Sequence, residues 1–386
     1  MPYYKPLKTV SAADRKRTVA GIQRLREQFA KVGFPIKKTS KSLILGTWNI
    51  RNFDDDRFNY GPRMTESLYY IAEILSRFDI VAVQEICADL APLDRLMRLL
   101  GNQYDYILTD VTHSGLGGNK ERLGFIYDRN KVKFKGVAGE IVLPDKMLIS
   151  EVADKKRQFS RTPFGAEFQS GWFKFLFSTV HIYYGKASKT SPEYARRVEE
   201  IEAVAKYLAK EAKASDSNQI LVGDFNIMKR GSAGFNALAQ NGFTMVQNRK
   251  GSNRDQTKFY DQISFRSRRN ELVQMEPDLE DRVFQFFDSV FRSEDFSTYK
   301  PIIKKRLKAK LKKANEDLAA ATSKTKKKKA ERQIDSLTAA EASEASLEEY
   351  YDEWRTFQMS DHLPLWVELE IDFSDKYLEY LSTYQA

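Results

Sequence analysis

The chain has 386 residues, 63 Lys+Arg against 53 Asp+Glu for a formal net charge of +10, and 42% apolar residues. This suits one large domain with additions and excludes global disorder. A single cysteine, Cys87, excludes a disulfide scaffold, while the polar N-terminus and the lack of any 18-residue apolar run predict no signal peptide and no membrane span, hence a reducing, cytoplasmic setting.

In chain order, residues 11–32 read as a helix. Ser11 and Asp14 make a capping box, and Ile22, Leu25 and Phe29 form one stripe. We take residues 1–40 as a helical arm that packs on the domain or serves a protein partner or dimer contact. From Ser42 short strands and helices alternate: strands at 42–49 and 79–85 flank a helix at 64–77, and further strands are expected at 123–127, 164–168, 172–182, 219–222, 262–265 and 365–371. Ser191-Pro192-Glu193 opens a helix to about residue 213, with serine as cap and proline at the first position. Strands outnumber helices and several run together, which suits stacked sheets with outer helices better than a singly wound sheet.

Between 276 and 355 this pattern breaks. Ile303, Leu307, Leu311, Ala314 and Leu318 step at helical intervals, the tetralysine Lys326–Lys329 follows, and a second helical stretch holds Ile334 and Leu337. The expectation is a helical hairpin inserted between two strands of a domain made of 41–275 and 356–386. Ser346 and Glu349 mark the cap of a last short helix leading back to Trp354. Residues 300–332 carry 14 basic and three acidic side chains, while 333–354 carry seven acidic and none basic. The remainder outside 300–332 is almost neutral. The segment is therefore either a clamp for nucleic acid or a hairpin whose two arms neutralise each other.

Five segments place polar or ionisable residues at the ends of apolar strands. These are Thr47-Trp48-Asn49-Ile50-Arg51, Val83-Gln84-Glu85, Ser178-Thr179-Val180-His181, Gly223-Asp224-Phe225-Asn226 and Met359-Ser360-Asp361-His362. Carboxamide and carboxylate oxygens suit a hard cation such as Mg²⁺. Asp224 and Asn226 alternate around Phe225, so the two can face one way. A carboxylate on an imidazole fixes its tautomer and raises its basicity. For His362, Asp361 is too close in sequence to be presumed the orienting acid, and Asp261 in Tyr260-Asp261-Gln262 is the other candidate. Singly each segment also reads as an ordinary strand end or turn.

The set in this order resembles the endonuclease/exonuclease/phosphatase superfamily, and within it the deoxyribonuclease I-like members. The resemblance runs from about Ser42 to Asp372 apart from the inserted segment. It extends to Lys120-Glu121-Arg122-Leu123-Gly124-Phe125 and to Phe159-Ser160-Arg161-Thr162-Pro163. It implies a four-layer α/β/β/α sandwich and a divalent-metal-dependent hydrolase, with Mg²⁺ or Mn²⁺ held by Glu85 and Asn49 and with Asp361 nearby. It further implies His362, oriented by Asp261, as base with Asp224 as a rival, and His181, held by Glu121, as acid or stabiliser. Asp224 and Asn226 would position water or phosphate, and Arg161 would grip a phosphate oxygen. His113, in a glycine-rich loop, has no counterpart in that set.

His181 stands where abasic-site enzymes of the superfamily usually carry tyrosine, and the Tyr260-Asp261-Gln262 segment lacks the tryptophan and arginine of the inositol phosphatases. Gln262 also stands where arginine is common. The expected activity is endonucleolytic hydrolysis of nucleic acid, DNA first. The alternatives are a phosphodiesterase for phospholipid headgroups or small diesters, and a non-catalytic nucleic-acid-binding module.

Overall fold

A strand that is apolar on both faces must be covered on both faces, and Leu43-Ile44-Leu45 is such a run. In the computed structural model, which describes residues 1–38, 40–112, 119–150, 156–214, 218–267 and 272–383, it lies in β1 (Ser42–Phe53), buried continuously from Ser42 to Ile50. The helix α1 (Ala12–Lys31) precedes β1. After it come α2 (Thr65–Leu75), β2 (Ile80–Cys87), α3 (Ala91–Leu100), β3 (Tyr104–Leu108), β4 (Glu121–Asp128) and β5 (Lys133–Glu140). The short pair β6 (Ile149–Ser150) and β7 (Lys156–Arg157) leads to β8 (Phe164–Ser170), β9 (Phe173–His181), α4 (Pro192–Ala214) and β10 (Asn218–Asp224). Then follow α5 (Ala233–Gln240), β11 (Thr244–Met245) and β12 (Asp261–Arg266). Three helices, α6 (Phe296–Ala319), α7 (Lys324–Ala340) and α8 (Glu344–Gln358), separate β12 from β13 (Leu365–Glu370), and α9 (Ser374–Thr383) follows.

The strands form two sheets, ordered β13-β1-β2-β4-β3 and β11-β12-β10-β9-β8-β5. Each has a parallel pair at its heart, β1 with β2 and β9 with β10, and every other pairing within the two sheets is antiparallel. A parallel pair needs a crossover, supplied by α2 in the first sheet and α4 in the second. The inner faces meet through aromatic rings: Phe125 of β4 stacks on Phe164 of β8 at 5.3 Å and meets Phe177 of β9 at 5.0 Å. Outside the second sheet, Ile201, Val204 and Leu208 of α4 and Leu238 of α5 pack with Val180 and Leu221. This is the four-layer α/β/β/α sandwich.

α1 forms as its sequence dictates: Ser11 Oγ accepts from the Asp14 amide at 3.1 Å and donates to the Asp14 carboxylate at 2.7 Å. It lies on α2 through Arg17–Glu66 (2.6 Å) and Arg26–Glu73 (2.9 Å) pairs, and Phe29 stacks on Phe284 at 4.1 Å. α6 and α7 pair as the expected hairpin and α8 brings the chain back to β13. α8 begins earlier than Ser346 suggests, because Ser343 accepts from the Ser346 amide at 3.0 Å and caps it. Among the described residues no helix is long and apolar enough to cross a membrane.

Candidate active site

Register on the second sheet sets the first half of the site. His181 of β9 pairs with Asp224 of β10, and Asp224 pairs with Asp261 of β12, so three ionisable residues stand in one row across three strands. Paired positions put their side chains on the same face. Gly223 permits this approach: its φ is +129°, and a Cβ there would lie 2.2 Å from the Val180 carbonyl oxygen. The strand ends at once. Asn226, with φ +53°, donates its backbone N–H to Asp224 Oδ1 at 2.9 Å and its Nδ2 to the Ile182 carbonyl at 2.8 Å. Asn226 thus anchors the strand exits, while Phe225 packs behind in the α4–α5 core.

On the first sheet the ladder is broken where chemistry is expected. The register shifts after Asn49 in β1 and between Val83 and Ile86 in β2. Glu85 sits in that bulge with φ +63°, a conformation costing a non-glycine residue of order 1–3 kcal/mol, and bulges of this kind re-aim a side chain. Its Oε1 accepts from Asn49 Nδ2 at 2.9 Å and its Oε2 from the Asn52 amide at 2.8 Å. Asn49 Nδ2 also reaches Asp224 Oδ2 at 3.1 Å, joining the two sheets.

Two imidazoles face Asp224 from opposite sides. His181 Nε2 lies 3.4 Å and His362 Nε2 3.8 Å from Asp224 Oδ2. Each ring is held at Nδ1 by its own acid: His181 by Glu121 at 2.5 Å, His362 by Asp261 at 2.8 Å. Arg161 Nε also meets Glu121 Oε1 at 2.5 Å, so Glu121 serves two cations, and all three side chains are buried. Asp361 stands apart. Its side chain is 40% exposed and lies 3.6 Å from Arg51 Nε.

Ligand atoms of Glu85, Glu121 and His181 fall within 4.8 Å of one another, as do those of Asp224, Asp261 and His362; Asp361 is in neither group. Asn49 Oδ1 is buried beside Glu85 with no hydrogen-bond partner. An orphaned carboxamide oxygen next to a carboxylate matches the donor set of a hard divalent cation, so these residues fit such an ion. A concavity of about 830 Å³ lies under Met1, Tyr3, Tyr69 and Arg98, and none of the residues above lines it. His113 lies outside the described residues.

Three residues had no expected role. Gln84, fully buried, donates to Thr47 Oγ1 at 3.1 Å and Thr179 Oγ1 at 2.8 Å, a polar rung between the sheets. Ser360 Oγ donates to the Asn49 carbonyl at 2.6 Å and accepts from the His362 amide at 3.0 Å. Trp48 Nε1 donates to the His362 carbonyl at 2.8 Å. All three sit inside the segments picked out above, but their partners are remote in sequence.

The profile of the Endonuclease/Exonuclease/phosphatase family matches residues 46–289, well over half of the chain. The chain belongs to this family. It is accordingly a hydrolase of phosphoester bonds. Among solved structures, the mannosyl-6-phosphatase of Bacteroides thetaiotaomicron is 20% identical with a TM-score of 0.45, the match covering 58% of this chain and 85% of that one. An endonuclease/exonuclease/phosphatase family protein from the same organism is 21% identical with a TM-score of 0.45, covering 58% and 81%. The human Nocturnin catalytic domain is 12% identical with a TM-score of 0.44, covering 61% and 84%. No curated protein matches the chain. The family match ends before Asp361 and His362; in this endonuclease/exonuclease/phosphatase protein β13, paired with β1, brings them back.

Burial, the strongest influence on each of these groups, disfavours charge, and mostly it is outweighed. Glu121 is held down at about 2 by His181 and Arg161 against that burial. Asp224 is likewise lowered, by His362 and His181. His181 is raised because Glu121 and Asp224 outweigh burial and Arg161, and His362 is raised well above its ordinary value by Asp261 and Asp224. Only Asp261 yields to burial and moves up. Since both imidazoles have raised values, their contribution to stability is complete below the ordinary pKa of 6.5 and is lost as pH rises through the folded-state values. Glu121 works in the other direction, its contribution present above 4.5 and lost as pH falls towards 2. Imidazole ¹⁵N NMR of the metal-free protein should show two rings still protonated above pH 6.5; two rings titrating at or below 6.5 would contradict this charge pattern.

Proposed function

We propose that this chain is a divalent-metal-dependent endonuclease that hydrolyses phosphodiester bonds of nucleic acid, DNA first. The observation that carries the reading is the pair of acid-held imidazoles presenting Nε2 to the single carboxylate of Asp224. Glu85 and Asn49 would hold Mg²⁺ or Mn²⁺, with Asp361 at the mouth. The bound cation would supply charge neutralisation at the phosphate oxygens.

The protein's own groups would do the rest. His362, in its neutral form and oriented through Nδ1 by Asp261, accepts a proton at Nε2 from the attacking water as the new P–O bond forms; Asp224 is the rival acceptor. The ester P–O bond breaks, and His181 donates its Nε2 proton to the leaving oxygen or a hydrogen bond to the phosphoryl group. Glu121 keeps His181 charged for that step. Arg161, fixed through Nε, has its terminal nitrogens left for a phosphate oxygen. Asn226 positions the Asp224 carboxylate through its amide. We further assign α6–α8 as an addition to the catalytic sandwich and α1 as its packing arm.

Purified protein should nick supercoiled plasmid in Mg²⁺ or Mn²⁺ and stop when the metal is chelated. Headgroup release from liposomes with no nicking of DNA or RNA would instead assign a phospholipid diester as substrate. Nucleic-acid binding without turnover in any metal would overturn the catalytic reading.

A further inference from the structure

The basic residues of 300–332 are not neutralised by the acidic stretch that follows them. Lys300 pairs with Glu344, but Glu353 is taken by Arg51 and Asp352 by Arg355. On α7, Lys324, Lys328 and Arg332 recur every fourth residue, about 6 Å apart along one face, with Lys329 beside them. All four are exposed, and none has an ion-pair partner among the described residues.

This face is concave rather than free-standing. With Asn59 it lines a hollow of about 530 Å³. Gln333 Nε2 donates to Asn59 Oδ1 at 2.9 Å, and the Tyr350 hydroxyl donates to the Asn59 carbonyl at 3.3 Å. The neighbouring Phe58 is 51% exposed, its ring 5.7 Å from Phe357. The loop carrying both begins beside the site, where the Asn52 amide holds Glu85. Buried Arg63 pins its other end by donating to the carbonyls of Arg51, Asn52 and Met359. The loop therefore joins three features of separate elements: the site carboxylate of Glu85 at one end, its own exposed Phe58 ring, and, through Asn59, the row of unpaired cations on α7.

We propose that α7 and the 54–63 loop form a binding track for a single strand of nucleic acid, with phosphates on Lys324, Lys328, Lys329 and Arg332 and an unstacked base on Phe58. The inference rests on the nuclease reading above and names where its substrate is held away from the bond that breaks. Cations following a backbone beside an aromatic platform are what single strands require.

The test compares the full chain with a K324Q/K328Q/R332Q variant and with F58A. Binding of a labelled single-stranded oligonucleotide is measured in EDTA by anisotropy across salt concentrations. The triple variant should bind about tenfold or more weakly and lose about 2 from its log–log salt slope. F58A should weaken single strands more than duplex of the same length. In metal, the ratio of oligonucleotide hydrolysis to hydrolysis of bis(p-nitrophenyl) phosphate should fall about tenfold in the triple variant. Unchanged affinity and slope would overturn the track, as would a loss confined to phosphatidylserine vesicles. If the binding loss appears but neither substrate is ever hydrolysed, the track stands and the nuclease reading fails.

Discussion

Replacing His362 with alanine is expected to lower cleavage by about 10³-fold or more while leaving the protein folded. Among the described residues the ring is the only imidazole on Asp261, held at 2.8 Å, and its Nε2 faces Asp224. A positioned base of this kind contributes roughly 10²–10⁴-fold, and no neighbour replaces it with the same geometry. The fold survives because burial already raises the pKa of Asp261. Without the ring, burial favours the neutral form of that acid all the more, so no forced charge is left in the core. Cleavage assayed beside a melting curve separates the two effects; full activity would remove His362 from the mechanism.

Glu121→Gln should behave differently, losing both activity and about 3–5 kcal/mol of stability. Glu121 is the anion shared by His181 and Arg161, both buried. A glutamine leaves His181 only the Asp224 carboxylate at 3.4 Å and takes from Arg161 the carboxylate it meets. His181 can shed its proton, but an arginine cannot. Removing an imidazole therefore leaves an acid able to neutralise itself, whereas removing this carboxylate leaves a charge that persists. Adding Arg161→Gln to Glu121→Gln should restore part of the stability and none of the rate. Chemical denaturation reads the first effect and plasmid nicking the second. A single variant as stable as the parent would show that the triad is not charged as described.

The strands and helices read from the sequence were legible because burial imposes a period, whereas β3, the fully exposed β5, α3, α5 and α9 were not read from it. Both serine caps before α1 and α4 act where local spacing places them, and Ser191 Oγ accepts from the Tyr194 amide at 3.1 Å. The candidate site residues stood out as strand ends, since polar residues after apolar runs are conspicuous. What could not be read is contact between segments remote in sequence. Ser360 meets Asn49 across 311 positions and Trp48 meets His362 across 314. No spacing rule reaches that far. The bulge at Glu85 was hidden for another reason: Val-Gln-Glu has no glycine to announce a positive φ. Ser346 carries the Ser-x-x-Glu spacing of a capping box, yet the cap is Ser343, which accepts from the Ser346 amide. The charge of 300–332 was visible at once, but whether it was neutralised depended on where each acid pointed.

The pairing of β13 with β1 has a temporal consequence. β1 carries Asn49 and is made before its outer neighbour β13 and the His362 that precedes that strand. Synthesis runs from the N-terminus, so a nascent chain can assemble the Glu85 and Asp224 portions while β1 still has an open edge. A product ending before residue 362 lacks the imidazole opposite Asp224. Under the proposed mechanism, competence therefore arrives late, in the same event that closes the first sheet.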